Sequence, residues 1–400
     1  MKKRQEMFKS SRVECSRVPS SAVECHRVQS SAIDILSILQ NLPHVECRDM
    51  AHDILATLRR RAAWRQGLRV AAIAATLLAL AGAGLLLPTA KEATQGGSDI
   101  AQARSEAVEW LASQQRPDGT WDVVSLGGRQ EHAPALMGLA LMTIAEQQGA
   151  DYGRTLQKGI RALLETQQDS GCFGGDDEFM LYNHGIATVA LLRLCAQEQA
   201  PRDVRPALEK AVEFIRTSQL AEGGWGYRPD APSANVSVSA WQLEALGIAR
   251  HLGWEDSHGN LRRGLFWLTQ LVDGEGTMRY QQEGGGMASQ LTTTAQGIHC
   301  LLSAGAGYQG VQEPVAKMAQ RLHELLQEPG CAETDNPYRD YFIAQAMDAL
   351  RQIPAATMRQ RLLRTNVHEG DLRGSWDAED MYSQVGGRLC STSFSAMALK

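Results

Sequence analysis

Two kinds of helical pattern alternate along residues 100–400. In the first kind, apolar residues recur with a helical period and charged residues occupy the opposite face, as in a helix with one buried side. In the second kind nearly every position is apolar or small, which predicts a helix covered on all sides. The first kind is predicted at 100–115, 154–168, 204–220, 261–272, 311–327 and 357–366. The second kind is predicted at 133–145, 184–196, 236–249, 291–304, 341–350 and 389–399.

Six amphipathic helices that alternate with six covered ones predict two concentric rings, an outer and an inner one. The period-two pattern of strands does not occur in this region. Repeated units of this kind bury their apolar faces by stacking on their neighbours. We therefore expect an all-α fold for residues 100–400, an (α/α)6 toroid of six helical hairpins.

A short motif recurs where an outer helix ends and the chain turns inward. Glycine supplies backbone angles that other residues avoid, and the aromatic ring fills the corner, so we expect these residues to act in stability. Its copies are Gln115, Gly119 and Trp121; Gln167, Gly171 and Phe173; and Gln219, Gly223 and Trp225. Gly274 is the expected glycine of the fourth unit and Trp376 the aromatic of the sixth.

The chain before the toroid changes composition abruptly. Residues 70–87 are eighteen residues without a charge, enough to span a membrane of about 30 Å at about 1.5 Å per residue. Five arginines precede this stretch and one lysine follows closely, which predicts a cytoplasmic N-terminus and a toroid outside the cytoplasm. The predicted segments are a partly disordered region (1–58), a basic juxtamembrane segment (59–69), a single transmembrane helix (70–88), a polar linker (89–99) and the toroid (100–400).

Composition narrows the function. A net charge of −5 leaves no basic surface for nucleic acid, so we do not expect that partner. The uncharged stretch predicts the membrane as a partner, and the resemblance described next implies an apolar small molecule or a protein as ligand. None of the eight cysteines forms a CxxC pair, which excludes the usual zinc and redox spacings.

The corner motif resembles the QW repeats of squalene–hopene cyclases. The paired rings resemble the toroid of terpenoid cyclases and protein prenyltransferase β-subunits, and residues 182–187, 237–242, 341–347 and 374–376 are similar to bacterial membrane-anchored prenyltransferase and squalene-oxidase repeat proteins. The resemblance implies a toroid with a central ligand cavity.

The catalytic patterns of these families are missing. A cyclase that starts by protonation uses an Asp-x-Asp-Asp motif, and Asn235 stands where an acid would be expected. The zinc pattern of prenyltransferases, with Asp and Cys two residues apart and a His, does not occur either, so we expect neither metal nor cofactor. Asp176, Asp177 and Asp340 are the candidates for a divergent acid; the alternative for the first two is a solvated loop and helix cap.

Polar and aromatic residues gather at the starts of the inner helices. Equivalent turns of a toroid converge at one end of the barrel, so these side chains are candidates for a shared pocket, although each could instead cap a helix. They are Tyr182, Asn183, His184, Asn235, Ser237, Trp241, Tyr341, Ser391 and Thr392. We expect an apolar, isoprenoid-like or peptide ligand bound without standard cyclase chemistry; the alternative is a divergent isoprenoid cyclase or prenyltransferase.

Overall fold

The computed structural model describes residues 90–122, 133–147, 152–256, 258–282, 289–328, 335–352, 356–380 and 383–399. The chain divides into two compact units, Met1–Leu87 and Pro88–Lys400. The predicted N-terminal region, basic segment and transmembrane helix lie outside the described residues. Among the helices that are described, none is long and apolar enough to cross a membrane.

Twelve α-helices lie in the described part of the second unit. In chain order they are α1 (Ala90–Ser113), α2 (Ala133–Ala145), α3 (Gly153–Leu164), α4 (Met180–Ala196), α5 (Arg205–Thr217), α6 (Val236–His251), α7 (Asn260–Gln270), α8 (Gln290–Ser303), α9 (Gln312–Gln327), α10 (Pro337–Ala349), α11 (Ala356–Thr365) and α12 (Ser383–Ala398). Two 3-10 turns, Arg202–Val204 and Gly370–Leu372, lie between them. The described residues form no strand, only isolated bridges at three corners.

The even-numbered helices form a closed inner ring. Each packs against the next, and α12 packs back on α2. The odd-numbered helices surround this ring: α3 packs on α2, α5 on α4, α7 on α6 and α9 on α8, while α1 packs on α12. The all-α toroid expected from the sequence is confirmed.

Burial explains the two sequence patterns. In α2, all residues from Pro134 to Ala145 are buried, because neighbouring inner helices flank this helix and outer helices cover it. In α5 the buried residues are Leu208, Ala211, Val212 and Ile215, a spacing that places them on one face. The other face of α5 carries its charges into solvent.

Several helices begin earlier than predicted. Helix α10 begins at Pro337 because Asn336 caps it, its side chain accepting a hydrogen bond from the Arg339 N–H, and proline suits the first helical position. Helices α4 and α12 begin at Met180 and Ser383, and α12 is broken at Gly387, where φ is 66°. Helix α1 begins at Ala90, so the predicted linker 89–99 is helical from that residue on; its Ala, Lys, Glu and Gln residues favour a helix.

Each corner glycine lies against the backbone of the following outer helix. Gly119 and Gly171 have φ of 90° and 92°, and a Cβ on either would lie 2.4 Å from a carbonyl oxygen of that helix. In the fourth unit this position belongs to Gly276, with φ of 86°, so the expectation for Gly274 was wrong. Gly374 fills the position in the last unit and contacts the Glu106 backbone of α1, which closes the outer ring.

The spacing between the glutamine and the aromatic residue, which is repeated in each copy of the motif, also has a structural reason. The Gln115 side-chain amide donates to Gly119 O (3.1 Å) and to Thr155 O of the next outer helix (2.9 Å). Gln167 and Gln219 repeat both contacts. The Trp121 indole N–H donates to Leu111 O at 2.7 Å, and Trp225 and Trp376 bond the preceding helix in the same way. These residues brace the corners.

Candidate functional site

A cavity of about 340 Å³ lies among the N-terminal parts of the inner helices. This volume is at the lower end of the range of small-molecule sites. Its wall is mainly aliphatic and aromatic, and none of the described residues that line it is Asp, Glu, Lys or Arg. The lining residues are Ala135, Leu136, Leu139, Phe179, Tyr182, Asn183, Ile186, Tyr227, Ser237, Tyr280, Tyr338, Ser383, Val385, Gly386, Cys390 and Phe394.

The polar part of this wall is a chain of hydroxyl groups. The hydroxyls of Tyr227 and Tyr280 are 3.0 Å apart, and the Gln296 side-chain amide donates to the Tyr338 hydroxyl at 2.6 Å. Ser237 hydrogen-bonds both Tyr280 and Tyr338, which links the two pairs. Burial raises the pKa of Tyr182, Tyr280 and Tyr338, so these phenols stay neutral. The hydroxyl chain can donate and accept hydrogen bonds but carries no charge.

Trp241 and Tyr341 do not line the cavity and instead pack on each other beside it. Their rings are stacked with centroids 5.9 Å apart, and Phe342 meets Trp241 edge-on at 5.5 Å. The Phe394 ring, which does line the cavity, lies 5.3 Å from Tyr341. Because Trp241 and Tyr341 come from different inner helices, this aromatic layer crosses the interior of the barrel.

His184 and Thr392 hold corners in place. His184 Nδ1 accepts a hydrogen bond from the Phe173 N–H (3.0 Å), and its Nε2–H donates to Ala211 O (3.1 Å). Burial lowers the pKa of His184 to about 4, so the ring is neutral. Thr392 accepts in the same way from the Trp376 N–H at 3.1 Å. Neither residue lines the cavity.

Asn235 and Ser391 also contact backbone groups outside the cavity. Asn235 caps α6, its side chain accepting from the Val238 N–H at 2.9 Å. The Ser391 hydroxyl donates to Asp377 O at 2.7 Å. The structure thus brings Tyr182, Asn183 and Ser237 together at the cavity wall and gives the remaining candidates packing or backbone contacts; a role of the first three in ligand binding stays a prediction.

Asp176 and Asp177 lie in the loop before α4, outside the cavity. Asp176 is exposed and pairs with the Arg228 guanidinium at 2.7 Å. The Asp177 carboxylate accepts from the Phe179 N–H at 2.8 Å, an N-terminal contact of α4, and lies 3.5 Å from the Asn183 amide nitrogen. These contacts lie in the loop before α4, and Asn183 connects Asp177 to the cavity wall; whether Asp176 or Asp177 acts as an acid stays a prediction.

Asp340 is fully buried in a cluster of ions that joins α10 to α11. Its carboxylate accepts from Arg339 at 3.0 Å and from Arg361 at 2.5 Å, and Arg361 also pairs with Asp335 at 2.6 Å. Burial raises the pKa of Asp340, and the two guanidinium groups oppose this effect. With both oxygens held by arginines and no position on the cavity wall, this carboxyl group is not placed to protonate a ligand there.

Sequence reasoning missed much of the cavity wall. Tyr227 and Tyr280 each stand two residues after a corner residue, Trp225 and Met278, and this shared offset is the signal that could have identified them. It also missed Ser239, which accepts from the Trp225 N–H at 2.8 Å as His184 does in the preceding unit. In the described part of the chain, no group of three or more His, Cys, Asp or Glu residues could hold a metal ion.

Comparison with known proteins confirms the resemblance seen in the repeats. A sequence model of the prenyltransferase alpha-alpha toroid domain matches residues 68–270, about half of the chain. The chain is 24% identical over 217 residues to a squalene–hopene cyclase of Zymomonas mobilis subsp. mobilis, and this match covers 47% of the chain and 31% of the cyclase. The chain spans about a third of the length of the curated relatives that it matches.

Solved structures agree on the fold. An inactive variant of an α-1,6-mannanase of Salegentibacter sp. HEL1_6 has a TM-score of 0.55 and 13% identity, covering 75% of this chain and 98% of the mannanase. A type II terpene cyclase from Scytonema has a TM-score of 0.51 and 13% identity, covering 76% of this chain and 97% of the cyclase. At these identities the likeness shows the toroid and leaves the chemistry open.

Proposed function

The chain belongs to the prenyltransferase α/α-toroid family, and we propose that its cavity binds a neutral, apolar, isoprenoid-like ligand without starting chemistry on it by protonation. The observation that carries this proposal is the composition of the cavity wall: aliphatic and aromatic side chains, a chain of neutral hydroxyls, and no charged group among the described lining residues. Squalene, in the name of a relative, is an isoprenoid hydrocarbon.

The same wall disfavours other ligand classes. A prenyl diphosphate needs cationic side chains or a metal around its phosphates, and the described lining offers neither. A peptide would bring a backbone amide for each residue, and each one left without a hydrogen bond would cost about 1–3 kcal/mol. An isoprenoid chain has no such groups, and one oxygen atom at its end could join the hydroxyl chain of Tyr338, Ser237 and Tyr280.

A divergent isoprenoid cyclase or prenyltransferase remains the second candidate because of one contact. The Asp177 carboxylate lies 3.5 Å from the Asn183 amide, and Asn183 lines the cavity. An acid at this site would need a proton at neutral pH and a path to the ligand, yet Asp177 accepts a backbone N–H, a bond that favours the ionised form. The binding function therefore has the better support.

The test uses the full chain in lipid nanodiscs. We expect geranylgeraniol to bind and squalene and geranylgeranyl diphosphate to be recovered unchanged by mass spectrometry. Ile186→Trp fills the cavity and should abolish binding, whereas Leu372→Trp adds the same side chain at an exposed position and should leave binding intact. If the original chain converts squalene or the diphosphate and Asp177→Asn does not, the enzymatic function is the correct one and the binding proposal is wrong.

We also propose that residues 70–88 anchor the toroid outside the cytoplasm. This proposal rests on the uncharged stretch and the arginines before it. The full chain should stay in the membrane fraction after an alkaline wash, and protease added to intact cells without their outer permeability barrier should cut the toroid. Release by the wash, or protection from protease, would contradict the anchor or its orientation respectively.

A further inference from the structure

A second chamber, open to solvent at Ala196, Gln197 and His251, lies at the other end of the inner helices. This chamber, of about 450 Å³, is lined by the last turns of α2, α4, α6 and α8 and by one residue of α10. On four inner helices a residue of the apolar cavity and a residue of the chamber are seven positions apart, about 10 Å along the axis. These pairs are Leu139 and Glu146, Ile186 and Arg193, Ser237 and Glu244, and Tyr338 and Gln345.

The aromatic layer of Trp241, Tyr341 and Phe342 occupies the intervening turns. Trp241 lies between Ser237 and Glu244 on α6, and Tyr341 lies between Tyr338 and Gln345 on α10. The stacked rings span the barrel between these helices. The two spaces are therefore separate in position, and their walls differ in chemistry.

The wall of the chamber carries a buried ion network. Glu244 is 5% exposed, and its Oε1 accepts from Arg193 Nε at 2.9 Å while its Oε2 lies 3.1 Å from His299 Nε2. Arg193 also donates to the Tyr341 hydroxyl at 3.0 Å. Taking charges out of water is unfavourable, so such a network beside a cavity is a candidate for function. Because Arg193 and Glu244 neutralise each other, the network adds no net charge to the chamber.

Three other side chains of the chamber wall have acceptor atoms beyond their printed contacts within the chain, as their hydrogen bonds show. His251 Nδ1 lies 2.8 Å from Gly247 O; a carbonyl only accepts, so Nδ1 carries the hydrogen and Nε2 of the neutral ring is an acceptor. The Ser303 hydroxyl donates to His299 O at 2.6 Å, which leaves its oxygen lone pairs. Glu146 pairs with Arg104 through Oε2 at 3.1 Å and keeps Oε1. All three line the chamber.

The helix ends place partial negative charge at the chamber. Four inner helices direct their C-termini toward it, and each end is equivalent to about −0.5 charge. Two of the end carbonyls already accept side-chain hydrogen bonds, Ala145 O from Gln199 and Ala304 O from Arg250, so the side-chain acceptors must supply much of the contact to a ligand. The charge of Arg193 is already paired with that of Glu244, which disfavours an anion there, and in the described residues no cluster suits a metal ion.

We propose that this chamber is a second binding site, for a small organic cation whose ammonium group donates hydrogen bonds to Glu146, His251 and Ser303. The proposal is independent of the ligand of the apolar cavity, because none of these residues lines that cavity. An alkyl ammonium fits the site since its N–H groups match the acceptors and its charge matches the helix ends.

The test is isothermal calorimetry of the full chain in nanodiscs at about 0.15 M salt, an ionic strength that screens surface charge. The probe is 1,4-diaminobutane, and 1,4-butanediol is its uncharged control. We expect the diamine to bind at one saturable site, and saturating geranylgeraniol to leave it bound. Because a charge-assisted hydrogen bond contributes about 1.5–3 kcal/mol, we expect binding of the diol to be at least about tenfold weaker.

Matched variants locate the site. Glu146→Gln should weaken diamine binding about tenfold, and Ser303→Ala, a smaller change on a helix end, should weaken it several-fold. Glu209→Gln removes the same charge from an exposed ion pair with Arg205 on the outer ring and should bind as the original chain does. Equal binding of diamine and diol, an absence of saturable binding, or equal losses in Glu146→Gln and Glu209→Gln would each overturn the proposal.

Discussion

Replacing Gly276 by alanine should destabilise the toroid strongly, whereas the same change at Gly274 should not. Gly276 has a φ of 86°, and a Cβ built on it would lie 2.5 Å from Lys317 O of α9. Gly274, two residues earlier in the same turn, does not have a positive φ, and a Cβ there would meet nothing within 4 Å. The two variants add the same methyl group to the same loop, at positions two residues apart.

The magnitude follows from two contributions. A left-handed backbone conformation costs alanine about 1–2 kcal/mol more than glycine. Overpacking against a neighbour costs about 1–3 kcal/mol, and here the neighbour is a backbone oxygen inside a helix, which cannot rotate away. The lower entropy of an unfolded chain with alanine offsets about 0.4–1 kcal/mol. We therefore expect Gly276→Ala to lose about 2–4 kcal/mol and Gly274→Ala to change stability by less than about 1 kcal/mol in either direction.

Chemical and thermal denaturation of the full chain, both followed by far-UV circular dichroism, compare the two variants with the original. The thermal midpoint of Gly276→Ala should fall by about 3–6 °C, as expected for a unit of this size. Equal effects of the two substitutions, or a larger loss in Gly274→Ala, would refute the assignment of Gly276 as the corner glycine.

Two further predictions concern residues that sequence reasoning placed among the functional candidates. His184 has a pKa of about 4 in the folded chain and about 6.5 when unfolded, so the unfolded state takes up the proton first and stability falls by up to about 3 kcal/mol as the pH drops from about 6.5 to about 4. Denaturation of His184→Gln should show a shallower pH dependence over this window, and an unchanged slope would contradict the assignment. Asp340→Asn leaves two buried arginines without their shared counter-charge and should lose about 3–5 kcal/mol, whereas Asp176→Asn, in an exposed pair, should lose about 1 kcal/mol or less. Similar small losses in both would contradict the buried network, and ligand binding by the folded fraction of Asp340→Asn should be unchanged.

The corners could be predicted because the motif reports local geometry. Glutamine, glycine and an aromatic residue at fixed spacing determine the contacts within one turn, and the sequence contains three copies of this motif, two with tryptophan and one with phenylalanine. The fourth corner was misplaced because valine and methionine replace the glutamine and the aromatic residue there, and only the spacing Val272-x3-Gly276-x-Met278 identifies it. The local motif was therefore sufficient to predict the fold. It failed only at the fourth corner, where the glutamine and the aromatic residue are replaced.

The cavity was predicted less well, because a residue lines it only if its side chain lies on the side of the helix that faces the cavity. Successive helical residues differ by about 100°, so Asn183 lines the cavity while the adjacent His184 faces the corner. Sequence placed both at the start of an inner helix but could not fix the rotation of that helix. Tyr227 and Tyr280 come from the turns before the inner helices, and their positions depend on how those turns pack against the ring.

The side chains of the cavity wall, and not the fold, are what argue against cyclase chemistry in this chain. The inner helices run in one direction, so the N-terminal parts of α2, α4, α6, α10 and α12 line the apolar cavity and the C-terminal ends of α2, α4, α6 and α8 line the chamber. A carbocation formed in the apolar cavity would lie near positive helix ends with no carboxylate among the described lining residues to balance it. An oxygen atom that accepts hydrogen bonds suits that end, and an ammonium group suits the other. The proposed neutral ligand fits this wall, and a substitution such as Ser237→Asp would have to overcome both burial and the existing hydroxyl chain before it supplied an acid.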